Sequence, residues 1–470
     1  MFKKLKGLEW SLLPTVFALA WPTMLEQIMQ TAVQYVDTAM VGSLGTEATA
    51  AVGATNTVGF LVISSIMALG IGLLSIVARA HGAGDHTLAK KASGQATFIV
   101  LLMGSVFTAV ILSVSRFVPV WMQVDPAIRD TAATYFFILY TPMLPRAATM
   151  MYGTLLRAVG DTKTPMRVGV IVNIVNVVLN FLLIYPSREL TIFSMKIPMI
   201  GAGMGVIGAA TASAIAFTVG GILISIVVWR HPEISPKGQS IKPDMSILKP
   251  TLKVAFPNML QRFGTSLGFV VFASMINSLG GTSTATHTIA NTVESAFYIP
   301  GFGMQTAAAT LSGNSVGMGD KKRLKDLARL IISIEVGLMI ITGSLLFIFA
   351  PNMVDIFTDD PAVISLGTTV LRMVAVSEPF YGVSIIIEGM LQGVGKTMIP
   401  FVCNVSGMWG IRILGTFITT QILSFGLVGA WGCMIGHNLL VFSLFVPYYL
   451  SGRWNPLDEK SKKKLVVGNG

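Results

Sequence analysis

Charge is what this sequence has least of: Asp, Glu, Lys and Arg together make up 12% of its 470 residues, against 53% hydrophobic residues and a mean hydropathy of +0.72. A soluble chain of this length cannot hide that much apolar surface, so lipid must solvate much of it. Short segments alternating apolar and polar residues, the mark of a transmembrane β-barrel, are missing too, which leaves helices to do the crossing. Cysteine is nearly absent. Cys403 and Cys433 form no CxxC pair, lie in late apolar stretches, and read as small hydrophobes rather than a disulfide or a metal site. The five histidines, His81, His86, His231, His287 and His437, form no HExxH, and no GxSxG occurs. His81 and His86 are close, but a spacing of five puts them off a shared helix face. The nucleophile or metal set that a membrane-embedded enzyme needs is therefore lacking, and the chain is not expected to be an enzyme or to carry a cofactor.

Gly393-Val394-Gly395-Lys396-Thr397 imitates a phosphate-binding loop, but the leading glycine of that motif would fall at 390, which is Met390. No strand precedes it, so it reads as a turn closing a helix, and ATP is not the energy source. What the chain does have is apolar stretches of 20 or so residues, each long enough to cross a hydrocarbon core of ~30 Å. They are expected over 13–41, 51–80, 92–115, 132–158, 168–186, 205–229, 250–277, 284–313, 327–350, 366–393, 400–424 and 427–450.

The basic residues mark one side of these twelve spans. Lys3, Lys4, Lys6, Lys90, Lys91, Lys163, Arg167, Arg230, Lys237, Lys242 and Lys249 fall there in the first half. Lys321, Lys322, Arg323, Lys325, Lys396, Lys460 and Lys462 to Lys464 continue the pattern in the second. The opposite loops are poor in Lys and Arg, and Pro351–Pro361 is acidic through Asp355, Asp359 and Asp360. The net charge of +11 is thus a topology signal, with no nucleic acid as partner, and it places both termini in the cytoplasm. The amino terminus resembles a signal peptide ending at Ala18-Leu19-Ala20. Glu9 and Pro14 interrupt that core, however, and the span continues, so it is read as an uncleaved first helix in a cytoplasmic (inner) membrane.

An internal repeat is the sharpest feature. An offset of 257 − 22 = 235 pairs Pro22 with Pro257, Ser43-Leu44-Gly45 with Ser278-Leu279-Gly280, and Gly84-Asp85 with Gly319-Asp320. It still holds for Val159-Gly160, Thr162 and Pro165 against Val394-Gly395, Thr397 and Pro400. Near the end Gly205 to Ala209 answers Gly426 to Ala430 at an offset of 221, so 14 extra loop residues sit around Pro186–Met204. Six spans per repeat start each half on the same side, making the repeats parallel ones. The expected architecture is an all-α polytopic membrane protein, with a six-helix bundle in 1–229, a cytoplasmic linker in 230–249, a second six-helix bundle in 250–450 and a cytoplasmic tail in 451–470. Two such bundles suit alternating access.

The same residues carry a family resemblance. Val36-Asp37-Thr38-Ala39-Met40-Val41-Gly42-Ser43-Leu44-Gly45, and Leu156-Arg157-Ala158-Val159-Gly160-Asp161-Thr162-Lys163-Thr164-Pro165, resemble signatures of the multidrug and toxic compound extrusion (MATE) family. Glu294-Ser295 followed by Pro300-Gly301-Phe302-Gly303 and Ala307-Ala308 is similar to that family's eighth helix. The resemblance covers essentially the whole chain. It implies export of small cationic or amphiphilic drugs in exchange for H+ or Na+, by a protein expected to act as a monomer in the bilayer.

Ionisable groups inside spans are costly unless paired or hydrated, which makes each a candidate. Asp37 stands first. The 11 residues from Glu26 to Asp37 close to within ~20° on a helix, so Glu26, Gln30 and Asp37 form a polar stripe, with Gln34 nearby as a further contact. Pro22 removes a backbone hydrogen bond and allows a bend; the resemblance implies a hinge there. It also implies that Asp37 works with the fifth span, where Asn176 and Asn180 match the cation-coupling site and Asn173 lies close by. Some relatives carry an aspartate in place of Asn180, which leaves Asp37 as the acid of that site. Thr265 stands where many relatives have a glutamate, so their carboxyl-terminal cation site is not carried over. Glu294 and Glu378 remain as substrate or ion contacts, Glu388 as a structural acid, and Arg146, Arg262 and Arg412 as ion-pair partners. A lipid-linked sugar flippase is the competing transporter reading. It would call for a strongly basic cavity, whereas the first-helix stripe is acidic.

Overall fold

The computed structural model describes residues 9–192 and 195–458. The basic clusters Lys3–Lys6 and Lys460–Lys464 lie outside the described residues. In chain order the long elements are α1 (Leu13–Gly42), α2 (Thr46–Gly82), α3 (His86–Val114), α4 (Arg129–Tyr140), α5 (Met143–Ala158) and α6 (Lys163–Ile184). A hairpin, β1 (Pro186–Ile192) and β2 (Met195–Ala202), precedes α7 (Gly205–Arg230). Then follow α8 (Met245–Asn277), α9 (Gly281–Gly317), α10 (Lys321–Asp355), α11 (Pro361–Gly393), α12 (Met398–Ile422) and α13 (Gly426–Leu450).

Ten of the described helices are long and apolar enough to cross a membrane. The remaining two expected spans are α9, 37 residues long and rich in Thr, Ser and Asn, and the stretch covered by α4 and α5. That second stretch corrects the expectation of one helix over 132–158. Thr141 is still helical, but Pro142 has no amide hydrogen to continue the ladder and leaves helical geometry at φ −84°, ψ +44°, so the chain breaks there into two helices. The 14 extra residues expected as loop are an antiparallel two-stranded ribbon, paired Arg188 to Met199 and Leu190 to Ile197. α1, in contrast, is continuous through Pro22. The Thr23 hydroxyl next to it donates to Leu19 O, Ala20 O and Gly303 O at 3.2, 2.8 and 3.0 Å.

The repeat is visible in the backbone itself. Gly84 and Gly319 adopt φ of +70° and +69°, a left-handed conformation that glycine tolerates best. The residue that follows each caps a helix: Asp85 accepts from Leu88 N at 2.9 Å and Asp320 from Arg323 N at 2.8 Å.

The described residues form two compact units. One comprises Leu25–Leu73 and Asp85–Thr251; the other comprises Met1–Met24, Leu74–Gly84 and Leu252–Gly470. The chain therefore changes unit directly after Met24, two residues beyond Pro22. In the second unit, Leu324, Leu327, Ile331, Ile386, Ile387 and Phe445 belong to one buried apolar cluster, and Phe272, Leu346, Val370, Leu371 and Trp431 to another. Small residues let backbones touch within it: Gly313 lies against Ala78 and Gly317 against the carbonyl of Arg79, two close approaches one turn apart on α9. At the end of α13, Tyr449 stacks on Trp454 of the segment that follows, with ring centroids 5.3 Å apart, and Asp458 reaches Lys321 and Lys325 of α10, each at 3.1 Å. Lys396 donates to the carbonyl of Arg453, so the imitation phosphate loop serves to hold this end segment.

A side chain at Gly317 would overlap the Arg79 carbonyl, whereas one at Gly432 meets nothing. Gly317→Leu is therefore expected to destabilise the protein by about 1–3 kcal/mol, read as a lower thermal midpoint in detergent, with Gly432→Leu near wild type. The hydrogen bonds and charges of Lys325 and Lys321 hold the Asp458 carboxyl below its ordinary range. A depressed acid stabilises the docked segment above its ordinary value of about 3.9 and loses that effect as pH falls through the lower folded value. Hydrogen exchange of 452–458 should thus stay slow at neutral pH, quicken only in acid below about pH 4, and quicken at neutral pH in Asp458→Asn.

Candidate functional site

In the unit comprising Leu25–Leu73 and Asp85–Thr251, three helices are joined by a line of polar side chains. Asp37 of α1 is half-buried, and its Oδ1 accepts a hydrogen bond from Asn180 Nδ2 of α6. The same amide reaches Asn176 Oδ1 one turn earlier at 3.2 Å, and Asn176 Nδ2 donates to Ser213 Oγ of α7 at 3.0 Å. The spacing of four makes this line, because it stacks Asn176 and Asn180 on one face of α6. Both asparagines are buried, and Asn180 Oδ1 has no hydrogen-bond partner. A carboxylate and a free amide oxygen are hard donors, suited to a proton or an alkali cation rather than to a soft transition metal. Among the described residues no group of three or more His, Cys, Asp or Glu could hold a metal.

The other first-helix candidates separate from this line. Glu26 bonds Arg157 Nη1 of α5 through both oxygens, at 3.2 and 3.0 Å. Gln30 and Gln34 are exposed, and Asn173 is half-buried. Pro22 is buried within α1. Arg146 departs from its expected role as partner of an acid: its guanidinium lies 4.2 Å from the centre of Phe217 and 5.3 Å from that of Tyr140. With the break between α4 and α5, Tyr140 and Arg146 face one another across the corner, and Tyr135 of α4 comes within electrostatic reach of Asp37. Nothing in the local pattern announced Ser213 or Tyr135, since each depends on how α4, α6 and α7 pack.

The second unit holds a separate group of acids. Glu294 of α9, Glu378 of α11 and Glu335 of α10 are 6%, 1% and 0% exposed, and Glu378 feels the charges of the other two. Both oxygens of Glu335 and Oε2 of Glu378 lack hydrogen-bond partners. Sequence reasoning missed Glu335, although the rule that selects Glu294 applies to it equally, because it falls inside the span 327–350. Gly301 and Gly382 make room for it: a Cβ on Gly301 would stand 2.7 Å from Glu335 Oε1. Glu388 lies apart from these three. It accepts from Gln261 at 2.9 Å, Gln392 at 3.1 Å and Asn404 at 3.1 Å.

Gln261 and Gln392 are the repeat counterparts of Glu26 and Arg157, since 26 + 235 = 261 and 157 + 235 = 392. Each half thus ties its first and fourth spans together at the same place, one with an ion pair and the other with two amides on a third residue's carboxylate. Arg262 sits in the field of Glu388, but the hydrogen bond it makes from Nε goes to Asn258 rather than to an acid.

Comparison with known proteins fits this arrangement. The MatE family model matches residues 22–182 and again 257–418, the second match one residue longer than the first. A probable multidrug resistance protein NorM from Thermotoga maritima is 27% identical over 93% of this chain and 92% of its own length. A probable multidrug resistance protein YoeA from Bacillus subtilis is 26% identical over 87% of each chain. Among solved structures, the outward-facing conformation of a multidrug resistance MATE family transporter is similar at a TM-score of 0.86, with 23% identity over 95% of this chain and 96% of that one. A transporter of the MOP superfamily from Pyrococcus furiosus is similar at a TM-score of 0.84, with 22% identity over 94% and 96%. These structures share the all-helical, membrane-spanning fold, and the paired family matches cover most of the chain: it belongs to the MatE family of multidrug and toxic compound extrusion transporters.

Proposed function

We propose that this protein is a secondary active exporter of small cationic or amphiphilic compounds, driven by exchange against H+ through Asp37. The observation that carries the reading is the Asp37–Asn180–Asn176–Ser213 line: an acid inside a spanning helix, held by amides rather than by a basic residue. An acid paired with a fixed cation has little reason to change charge, whereas one held by neutral amides can be switched by a mobile ion. The names of its relatives, probable multidrug resistance proteins, support the substrate class.

Proton uptake removes the charge that makes the Asn180 bond a charge-assisted one, and so loosens α1 from α6. Pro22 lies just before the chain changes unit and carries no amide hydrogen, which suits it as a hinge. Rearrangement of α1 then displaces bound drug, and proton release on the opposite side resets the carrier. Coupling to Na+ is the second reading, and one observation favours it: Asn180 Oδ1 is a buried, unpartnered oxygen beside a carboxylate. The placement of lysines and arginines supports an orientation in the cytoplasmic membrane with both termini inside.

The test is drug efflux from proteoliposomes under an imposed pH gradient and, separately, a sodium gradient. The pH gradient is expected to drive efflux, and Asp37→Asn to abolish the coupled component. Asn180→Ala should reduce it by about tenfold, the effect of losing one hydrogen bond to a charged group. Drive by sodium alone would transfer the role to Na+. Undiminished coupled efflux in Asp37→Asn would overturn the assignment of Asp37.

A further inference from the structure

The two repeats differ at the place where coupling is proposed. Adding 235 to Asp37 gives Phe272. The counterpart of Asn176 lies at 411 by the same offset, but α12 departs from α-helical geometry over Gly407–Ile413, where its turns are π-helical. A π turn accommodates an added residue, in keeping with a family match one residue longer in the second half. With that residue counted, the counterpart of Asn176 is Arg412. One half therefore places a carboxylate beside amides, and the other a guanidinium on an aromatic ring: Arg412 lies 4.4 Å from the centre of Phe272.

The surroundings of Arg412 supply unused polar hydrogens. Arg412 is 6% exposed, and its Nε has no hydrogen-bond partner. Glu294 is the carboxylate whose field reaches it, without closing to an ion pair among the described residues. Two more unpartnered nitrogens, Trp431 Nε1 and His287 Nδ1, belong to side chains packed with Phe272, and a third, His437 Nδ1, to a side chain beside Gly407. His287 sits edge-on between Phe272 and Trp431, at 5.6 and 5.9 Å. Both histidines lie within the electrostatic reach of Arg412, and His437 packs on Gly407 of the π-helical stretch. An indole N–H can only donate, a guanidinium carries a permanent positive charge, and either imidazole can place its proton to donate. Each such group, buried and unpaired, costs free energy that a suitable acceptor would recover.

We propose that Arg412, Trp431, His287 and His437 form an anion-binding site in the carboxyl-terminal half, selective for a monovalent anion, either a halide or a carboxylate. It is the inverse in charge of the Asp37 site. The anion neutralises the guanidinium whenever Glu294 carries a proton, so the bundle then holds no uncompensated charge there. The ligand could be a free ion or the carboxylate of a transported amphiphile, and the test separates them.

Thermal midpoints of the purified full chain would be followed while chloride, bromide, acetate or benzoate replaces sulfate at fixed ionic strength. A ligand that binds the native state alone raises the midpoint saturably. The expected result is a saturable rise that Arg412→Gln abolishes and Arg412→Lys retains in part. Trp431→Phe, which keeps the ring's bulk and removes one donor, should raise the half-saturating concentration by about tenfold. A response to halides and carboxylates alike identifies a free-anion site; a response to acetate and benzoate alone identifies a site that reads a substrate's carboxylate. Absence of a saturable rise in wild type, or a rise unchanged in both Arg412→Gln and Trp431→Phe, would overturn the proposal.

Discussion

A charged carboxylate within an apolar helix bundle is costly unless something nearby satisfies its oxygens, and in this chain that constraint links Asp37 of α1 to α6 and, through it, to α7. The amide of Asn180 holds Asp37, the carbonyl of Asn180's neighbour Asn176 shares that same amide, and Ser213 accepts from the amide of Asn176. Suppose the acid were taken away from these three helices. They would then have no reason to bury two asparagines on one face of a span otherwise made largely of valine, isoleucine and leucine. The polar line is thus better understood as a device that the hydrophobic packing carries than as a source of the packing itself.

The two repeats answer one mechanical problem with different chemistry. First and fourth spans must be tied together where they meet, and a salt bridge between Glu26 and Arg157 does this in one half. In the other half the carboxylate is that of Glu388, and glutamines stand at both equivalent positions. The geometry is shared while the charges differ. That is expected when the spacing of helices is set by small residues and apolar volume, and the polar groups need only satisfy one another.

Much of this was legible before any coordinates. The spans, the repeat and the turn glycines follow from hydropathy and from residues with few conformational alternatives, so the break at Pro142 is the main point where a written span and a folded one disagree. It too had a visible cause, the amide hydrogen that Pro142 lacks. Asp37 was found as an acid within a span, Asn176 and Asn180 through the family resemblance, and the structure brings the three into contact. Glu26 was legible as an intramembrane acid, but its partner Arg157 lies 131 residues away, and only packing unites them. Glu335 could have been found by the same rule and was not. The setting of Arg412 could not have been found, because nothing in Gly407–Ile413 distinguishes a π-helical turn from an α-helical one in a string of letters.

The widened turn in α12 has a consequence for how such a protein can change. In an α-helix each residue is set about 100° around the axis from the last, so one inserted residue re-aims every side chain that follows until the helix absorbs it. A duplicated gene that gained a single codon in this stretch would not have to replace its amides one by one. It could present a different column of side chains to the same interior, exchanging the sign of the charge it offers in one step while the chain on either side kept its course through the bilayer.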